Sequence, residues 1–216
     1  MRLFIVTSVY QFMNALTLQL NNMQERSDLL CIMKLLPENF DFEKLREEKI
    51  FDNVYSWTGE IDRFTMIDKN RIAHIKNYAK KVGLALFKKK LLREFSRPDK
   101  HYDEICVGYP DYPTRIACHV LKDKDTKLTL LEEGSYTYDF LAQKPKRIKN
   151  LAFKLLIGSD VVSQSSKVYV YRPEMLRLGE RKLEVVKIRP ELDSISPIIR
   201  KIYKTAYLPL KPSTSR

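Results

Sequence analysis

With 216 residues, 44% of them hydrophobic, the chain is long enough to bury a substantial core as one domain or two small ones. Nothing in its composition is collagenous, coiled-coil or disordered. A formal net charge of +12 favours an anionic partner, whether nucleic acid, an anionic membrane surface or a phosphorylated substrate, without choosing among them.

The opening residues, MRLFIVTSVYQFMNAL, hold too short an apolar run for a signal-peptide core. No apolar run approaches the roughly 20 residues that span a bilayer. The three cysteines, Cys31, Cys106 and Cys118, are odd in number and far apart. Cys31 and Cys106 fall in apparent strands, where buried, reduced thiols are expected. Together these features point to a cytoplasmic protein.

In chain order, residues 2–7 (RLFIVT) read as a buried first strand. A helix follows, with Phe12, Ala15, Leu16 and Leu20 at helical spacing. Residues 28–36 read as a second strand stopped by Pro37, residues 41–49 as a short polar helix, and FDNVYSW as a third strand ending near Trp57. The longest helical stretch runs over 68–94, with an apolar stripe from Ile72 to Leu91 and many basic residues opposite, among them Lys80, Lys81 and Lys88–Lys90. YDEICVG reads as a fourth strand leaving through GYPDYPTR, a loop of turn formers. A helix over 114–121 and a fifth strand, TKLTLL, come next. Beyond lie a tyrosine-rich loop, the basic segment KPKRIKN, an apolar helix near 151–157, the strands SKVYVYRP and LEVVKI, and a last helix over 194–204. Residues 1–205 are taken as one domain and 206–216 as a linker or frayed tail.

Strands alternating with helices, several of them apolar throughout, predict a mostly parallel sheet covered on both faces, a Rossmann-like α/β fold. The first strand exits through TSVYQ with no glycine, so a dinucleotide-binding GxGxxG is lacking and a dehydrogenase is disfavoured.

The stretch KLTLLEEGSYTYD, residues 127–139, carries the most chemistry. It delivers two adjacent carboxylates, Glu132 and Glu133, at the carboxyl end of a strand, where open α/β sheets bind ligands. Gly134 follows, able to turn the chain or to let a ligand approach closely. A solvated strand-to-helix turn is the competing explanation. Ser8, Tyr10 and Gln11 leave the first strand at the same edge, where they would hydrogen-bond a ligand, sugar hydroxyls of an acceptor if the resemblance named below holds, or merely cap the next helix. Asp111 and its flanking tyrosines, and Tyr136 after Gly134, would line the same crevice; for Asp111 a rigid turn is the alternative.

The order of these motifs, TSVYQFMNAL after the first strand, GYPDYP after the fourth and Glu-Glu-Gly after the fifth, resembles the bacterial sialyltransferase-like glycosyltransferases, and most closely glycosyltransferase family 52. That family includes lipooligosaccharide α-2,3-sialyltransferases and some glucosyltransferases, and capsule polysialyltransferases show a related layout. The resemblance implies a GT-B architecture, two Rossmann-like domains with the active site between them. It also implies that one acid, Glu132 before Glu133, serves as general base on the acceptor hydroxyl, since an alcohol must lose its proton as it bonds to the anomeric carbon. The substrates it implies are a nucleotide sugar such as CMP-sialic acid and a surface glycan of capsule or lipooligosaccharide, with no cofactor and no metal. The family's His-Pro motif has no counterpart, because His74, His101 and His119 precede Ile75, Tyr102 and Val120. Ser165 and Ser166 lie too early for the family's serine-rich nucleotide segment. An acceptor-side domain is therefore expected, its donor-binding domain missing or encoded separately.

The basic residues Lys144, Lys146, Arg147 and Lys149, like those of 80–90, would hold the protein at the inner face of the plasma membrane or simply be solvated. The alternative function is a non-catalytic basic α/β module that binds nucleic acid or another polyanion. Nucleic acid is not the expected partner, because aromatic residues are not interleaved with the lysines. His74 and His119 have no histidine or cysteine one turn away that would suggest a metal site. Oligomeric state is not legible.

Overall fold

The computed structural model describes residues 1–32, 40–56, 101–108, 111–143, 161–190 and 192–203. The stretches predicted as helices over 68–94 and near 151–157, the two basic segments, the end of the second predicted strand, Trp57, His74 and the tail lie outside the described residues.

Seven strands form one sheet: β1 (Arg2–Val6), β2 (Ser27–Cys31), β3 (Asn53–Ser56), β4 (Glu104–Val107), β5 (Lys127–Leu131), β6 (Ser165–Val170) and β7 (Glu184–Lys187). Their spatial order is β3-β2-β1-β4-β5-β6-β7, and every neighbouring pair is parallel. The fold is Rossmann-like α/β, as the alternation predicts. The order reverses between β1 and β4, which creates the switch point where such sheets open a crevice beyond their carboxyl ends.

Six helices are described: α1 (Val9–Asn21), α2 (Phe42–Glu47), α3 (Tyr112–Leu121), α4 (Ser135–Ala142), α5 (Val161–Gln164) and α6 (Leu192–Ile202). Side chains alternate across a strand, so β1 sends Leu3 and Ile5 into one core and Phe4 and Val6 into the other. Helices α3, α4 and α5 cover the first core through Ile116, Ala117, Leu141, Val161 and Val162. The second core is covered by α1, α2 and α6 through Phe12, Ala15, Leu16, Leu45, Ile195 and Ile202. Phe12, Ala15 and Leu16 are fully buried, as their helical spacing requires. Burying a large apolar side chain contributes roughly 1.5–3 kcal/mol, and two covered faces explain why the central strands are apolar throughout.

Three boundaries differ from expectation. The tyrosine-rich segment is a helix, α4, and not a loop: Thr137 and Leu141 fall one turn apart and are buried together. Helix α3 begins at Tyr112, because Asp111 caps it and Pro113 suits its first turn, so the last residues of GYPDYPTR are helical. β2 ends at Cys31; residues 33–36 of its predicted extent lie outside the described residues. All three cysteines are buried and unpaired, Cys31 in β2, Cys106 in β4 and Cys118 in α3. Burial pushes their thiols up, Cys118 to about 12, so they are inert packing groups. Among the described residues no helix is long and apolar enough to cross a membrane.

Candidate active site at the carboxyl edge of the sheet

The crevice is built by the exits of β1, β4, β5 and β6. At the end of β5 the backbone ladder continues for one bond, from the Glu132 N–H to the Tyr169 carbonyl at 2.9 Å. The Glu132 side chain then takes over. Its Oε2 accepts the Tyr171 N–H at 2.7 Å and the Tyr138 hydroxyl at 2.5 Å, and its Oε1 accepts the Tyr10 hydroxyl at 2.9 Å. Glu132 is 5% exposed. Three donors on two oxygens satisfy a buried carboxylate, and all three are neutral. Among the described residues no cation pairs with it.

Asn14 completes the cluster from one turn further along α1. Its Nδ2 donates to the Glu132 carbonyl at 2.8 Å, and its Oδ1 accepts the Tyr171 hydroxyl at 2.9 Å. Burial, then the bond to Glu132, raises the Tyr10 hydroxyl far above an ordinary tyrosine, and the same causes push Tyr138 up to about 12. Tyr171 is also raised, chiefly by burial. These phenols stay protonated and donate at any physiological pH.

Glu133 leaves the strand the other way and is half-buried. Its N–H donates to the Thr137 hydroxyl at 2.6 Å, which ties the acid to the first turn of α4. Gly134 between them has φ 59° and ψ −151°, a conformation essentially restricted to glycine, so the turn that presents Glu133 needs this residue. Tyr136 is 46% exposed and stacks on Phe140, with ring centroids 5.8 Å apart.

The other predicted contacts divide. Ser8 caps α1 by accepting the Gln11 N–H at 3.2 Å, and Asp111 caps α3 by accepting the Thr114 N–H at 3.0 Å. For Ser8 this is the helix-capping alternative; for Asp111, expected either to line the crevice or to form a rigid turn, it is a third role, the N-cap of α3. Gln11 lies between β1 and β4, packed against Gly108, and is 1% exposed. Tyr10 joins Glu132, while Gly134 and Tyr136 belong to the Glu133 side. Asn14, Thr137, Tyr138 and Tyr171 are additions that sequence reasoning missed; the only signal was that Asn14 falls one turn after Tyr10 on the same helix.

A cavity of about 20 Å³, room for one water-sized group, lies beside Gly108 and is lined also by Leu130, Tyr136, Thr137 and Phe140. A larger one, about 300 Å³, lies at the opposite edge between the starts of β6 and β7. There Arg181 donates to the Leu141 carbonyl and, at 2.7 Å, to the Gln143 carbonyl, which fastens the end of α4. The lining of this larger cavity also includes Glu180 and Lys182.

Among the described residues no group of three or more histidine, cysteine or acidic side chains could hold a metal ion. Set against known proteins, the sequence matches no family model and no curated protein.

Proposed function

We propose that the chain is the acceptor-side domain of a glycosyltransferase that moves a sugar, such as sialic acid, from a nucleotide donor to a surface glycan. The observation that carries this reading is the pair of acids at the carboxyl edge: Glu132 clamped by neutral donors, Glu133 next to it and half-buried. The resemblance of TSVYQ, GYPDYP and Glu-Glu-Gly to the sialyltransferase-like enzymes supplies the reaction class.

Within this proposal the two acids have different work. The first expectation favoured Glu132 as base, yet both of its oxygens are engaged and it is nearly closed to solvent. Glu133 is the more exposed of the two and is assigned the base here. As the acceptor oxygen bonds to the anomeric carbon, the bond from that carbon to the donor phosphate breaks and the nucleotide leaves with the electron pair. The hydroxyl proton passes to Glu133. Glu132 fixes the exits of β5 and β6 and the positions of Tyr10 and Tyr138. Its carboxylate, with no cation partner among the described residues, favours the positive character that develops on the sugar. A donor pocket is also required, and the resemblance assigns it to a second Rossmann-like domain.

The test is transfer from a panel of nucleotide sugars, CMP-sialic acid first, to lactose-terminated acceptors by the gene product in its native length. Product formation supports the reading. Failure with every donor, together with salt-sensitive binding to single-stranded DNA or to polyphosphate, supports the polyanion-binding module instead.

A further inference from the structure

The cavity of about 300 Å³ at the amino edge of the sheet lies apart from the two acids and is large enough for a small metabolite. One wall is Val162, Ser163 and Ser165, from the end of α5 and the start of β6. The other is the loop that enters β7, and a tight turn places it. There the Arg181 N–H donates to the Leu178 carbonyl at 3.1 Å, and Gly179 inside the turn has φ 58°, a left-handed conformation that favours glycine. Glu180, Arg181 and Lys182 from this turn all line the cavity.

The lining selects a ligand by its chemistry. Arg181 and Lys182 are cationic, and among the described residues Lys182 has no carboxylate within ion-pair distance. They suit an anionic oxygen. Ser165 is 8% exposed and gives its hydroxyl proton to the Val161 carbonyl at 2.7 Å, so toward a ligand its oxygen can only accept. The Glu180 carboxylate likewise accepts. Two cations with two acceptors match a molecule that carries an anionic group and hydroxyls together, and Val162 and Leu183 offer an apolar surface to its carbon skeleton.

This wall is tied to the acids at the far edge. Arg181 donates to the Leu141 and Gln143 carbonyls at the end of α4, with its guanidinium 5.8 Å from the centre of the Phe140 ring. The same helix carries Thr137, which accepts the Glu133 N–H, and Tyr138, which donates to Glu132. We propose that the cavity binds a small hydroxylated anion, a sugar phosphate or a sugar acid, and that Arg181 relays its occupancy through α4 to Glu132 and Glu133. An anionic oxygen competes with two neutral carbonyls for the guanidinium, and charge-assisted bonds are roughly twice as strong as neutral ones. Occupancy therefore loosens the end of α4 and shifts Thr137 and Tyr138. Neither the binding nor the relay depends on the transfer reaction.

Glucose 6-phosphate, glucuronate and glucose are titrated into the full chain carrying ¹³C-labelled tyrosine, with the Tyr138 ring signal assigned by its loss in Tyr138→Phe. At least one of the two charged sugars should bind and move that signal while glucose does not, and the arm that responds distinguishes phosphate from carboxylate. Lys182 is exposed, so Lys182→Glu leaves the fold intact and should weaken binding at least tenfold. Arg181→Lys keeps the charge without the planar fork, and should bind while the Tyr138 signal stays still. Glucose binding as tightly as the charged sugars, undiminished binding to Lys182→Glu, or binding by none of the three overturns the site. A Tyr138 signal that ignores binding to the wild type, or still responds in Arg181→Lys, overturns the relay.

Discussion

The two ends of the sheet each hold a carboxylate, half-buried Glu104 and buried Glu132, and they hold it differently. At the amino end Glu104 bonds the Arg2 guanidinium at 2.7 Å, accepts the Thr129 hydroxyl at 2.6 Å and lies 3.9 Å from the Lys167 ammonium. Arg2 in turn reaches Glu25 at 2.7 Å. Burial raises the Glu104 carboxyl, but the Thr129 hydroxyl and the Arg2 and Lys167 charges outweigh it and hold the group below the usual carboxylate range. At the carboxyl end Glu132 has two phenols and one backbone N–H, and no cation among the described residues. A carboxylate neutralised by cations stabilises a fold and has little charge left to offer a ligand. One held only by neutral donors has no opposite charge beside it to offset a ligand's.

The largest effect expected on stability comes from the amino end. Glu104→Ala leaves Arg2, whose side chain is 8% exposed, short of a partner, and should cost about 3 kcal/mol by urea unfolding. Because the Glu104 carboxyl is lowered in the fold, its contribution is present above the usual carboxylate range and is lost as pH falls through its depressed value. The variant should accordingly show a flatter loss of stability on acidification than the parent. Folded Glu104→Ala should bind ligand as the parent does, and altered binding would blur the division between the two ends.

Glu132→Gln comes next. Glutamine offers one acceptor oxygen where three donors converge, so about 1–3 kcal/mol of stability should be lost. Retained stability would show that the clamp is looser than its distances indicate. Tyr138→Phe removes one of the three donors and the bond its hydroxyl oxygen accepts from the Arg172 N–H at 3.1 Å, for about 0.5–1 kcal/mol. Because the Tyr138 hydroxyl is raised to about 12, its contribution is complete below an ordinary tyrosine value of about 10 and is lost as pH rises through 12. Wild type should lose more stability than Tyr138→Phe over that interval in an alkaline unfolding series, and parallel curves would contradict the assignment.

Much of this arrangement was legible in the residues. Apolar runs such as LFIV and LTLL named their strands because both faces of the sheet are covered, and the alternation with helices predicted parallel pairing. Glu132 and Glu133 were visible as acids at a strand end. The difference between them was not, because it depends on Tyr10, Tyr138 and Tyr171, which converge on Glu132 from three separate elements. The helix α4 was read as a loop because its tyrosines mask the buried Thr137–Leu141 spacing. Gln11 and Gly108 are 97 positions apart in sequence, and nothing local marks their contact.

The division of labour between the two acids is tested most directly by the transfer rate of Glu133→Gln in the native-length protein, compared with wild type at equal folded fraction. Removing a general base should lower kcat about 10²–10⁴-fold, with the unfolding midpoint unchanged. A Glu133→Gln protein that transfers sugar at the wild-type rate would contradict the assignment of the base to Glu133.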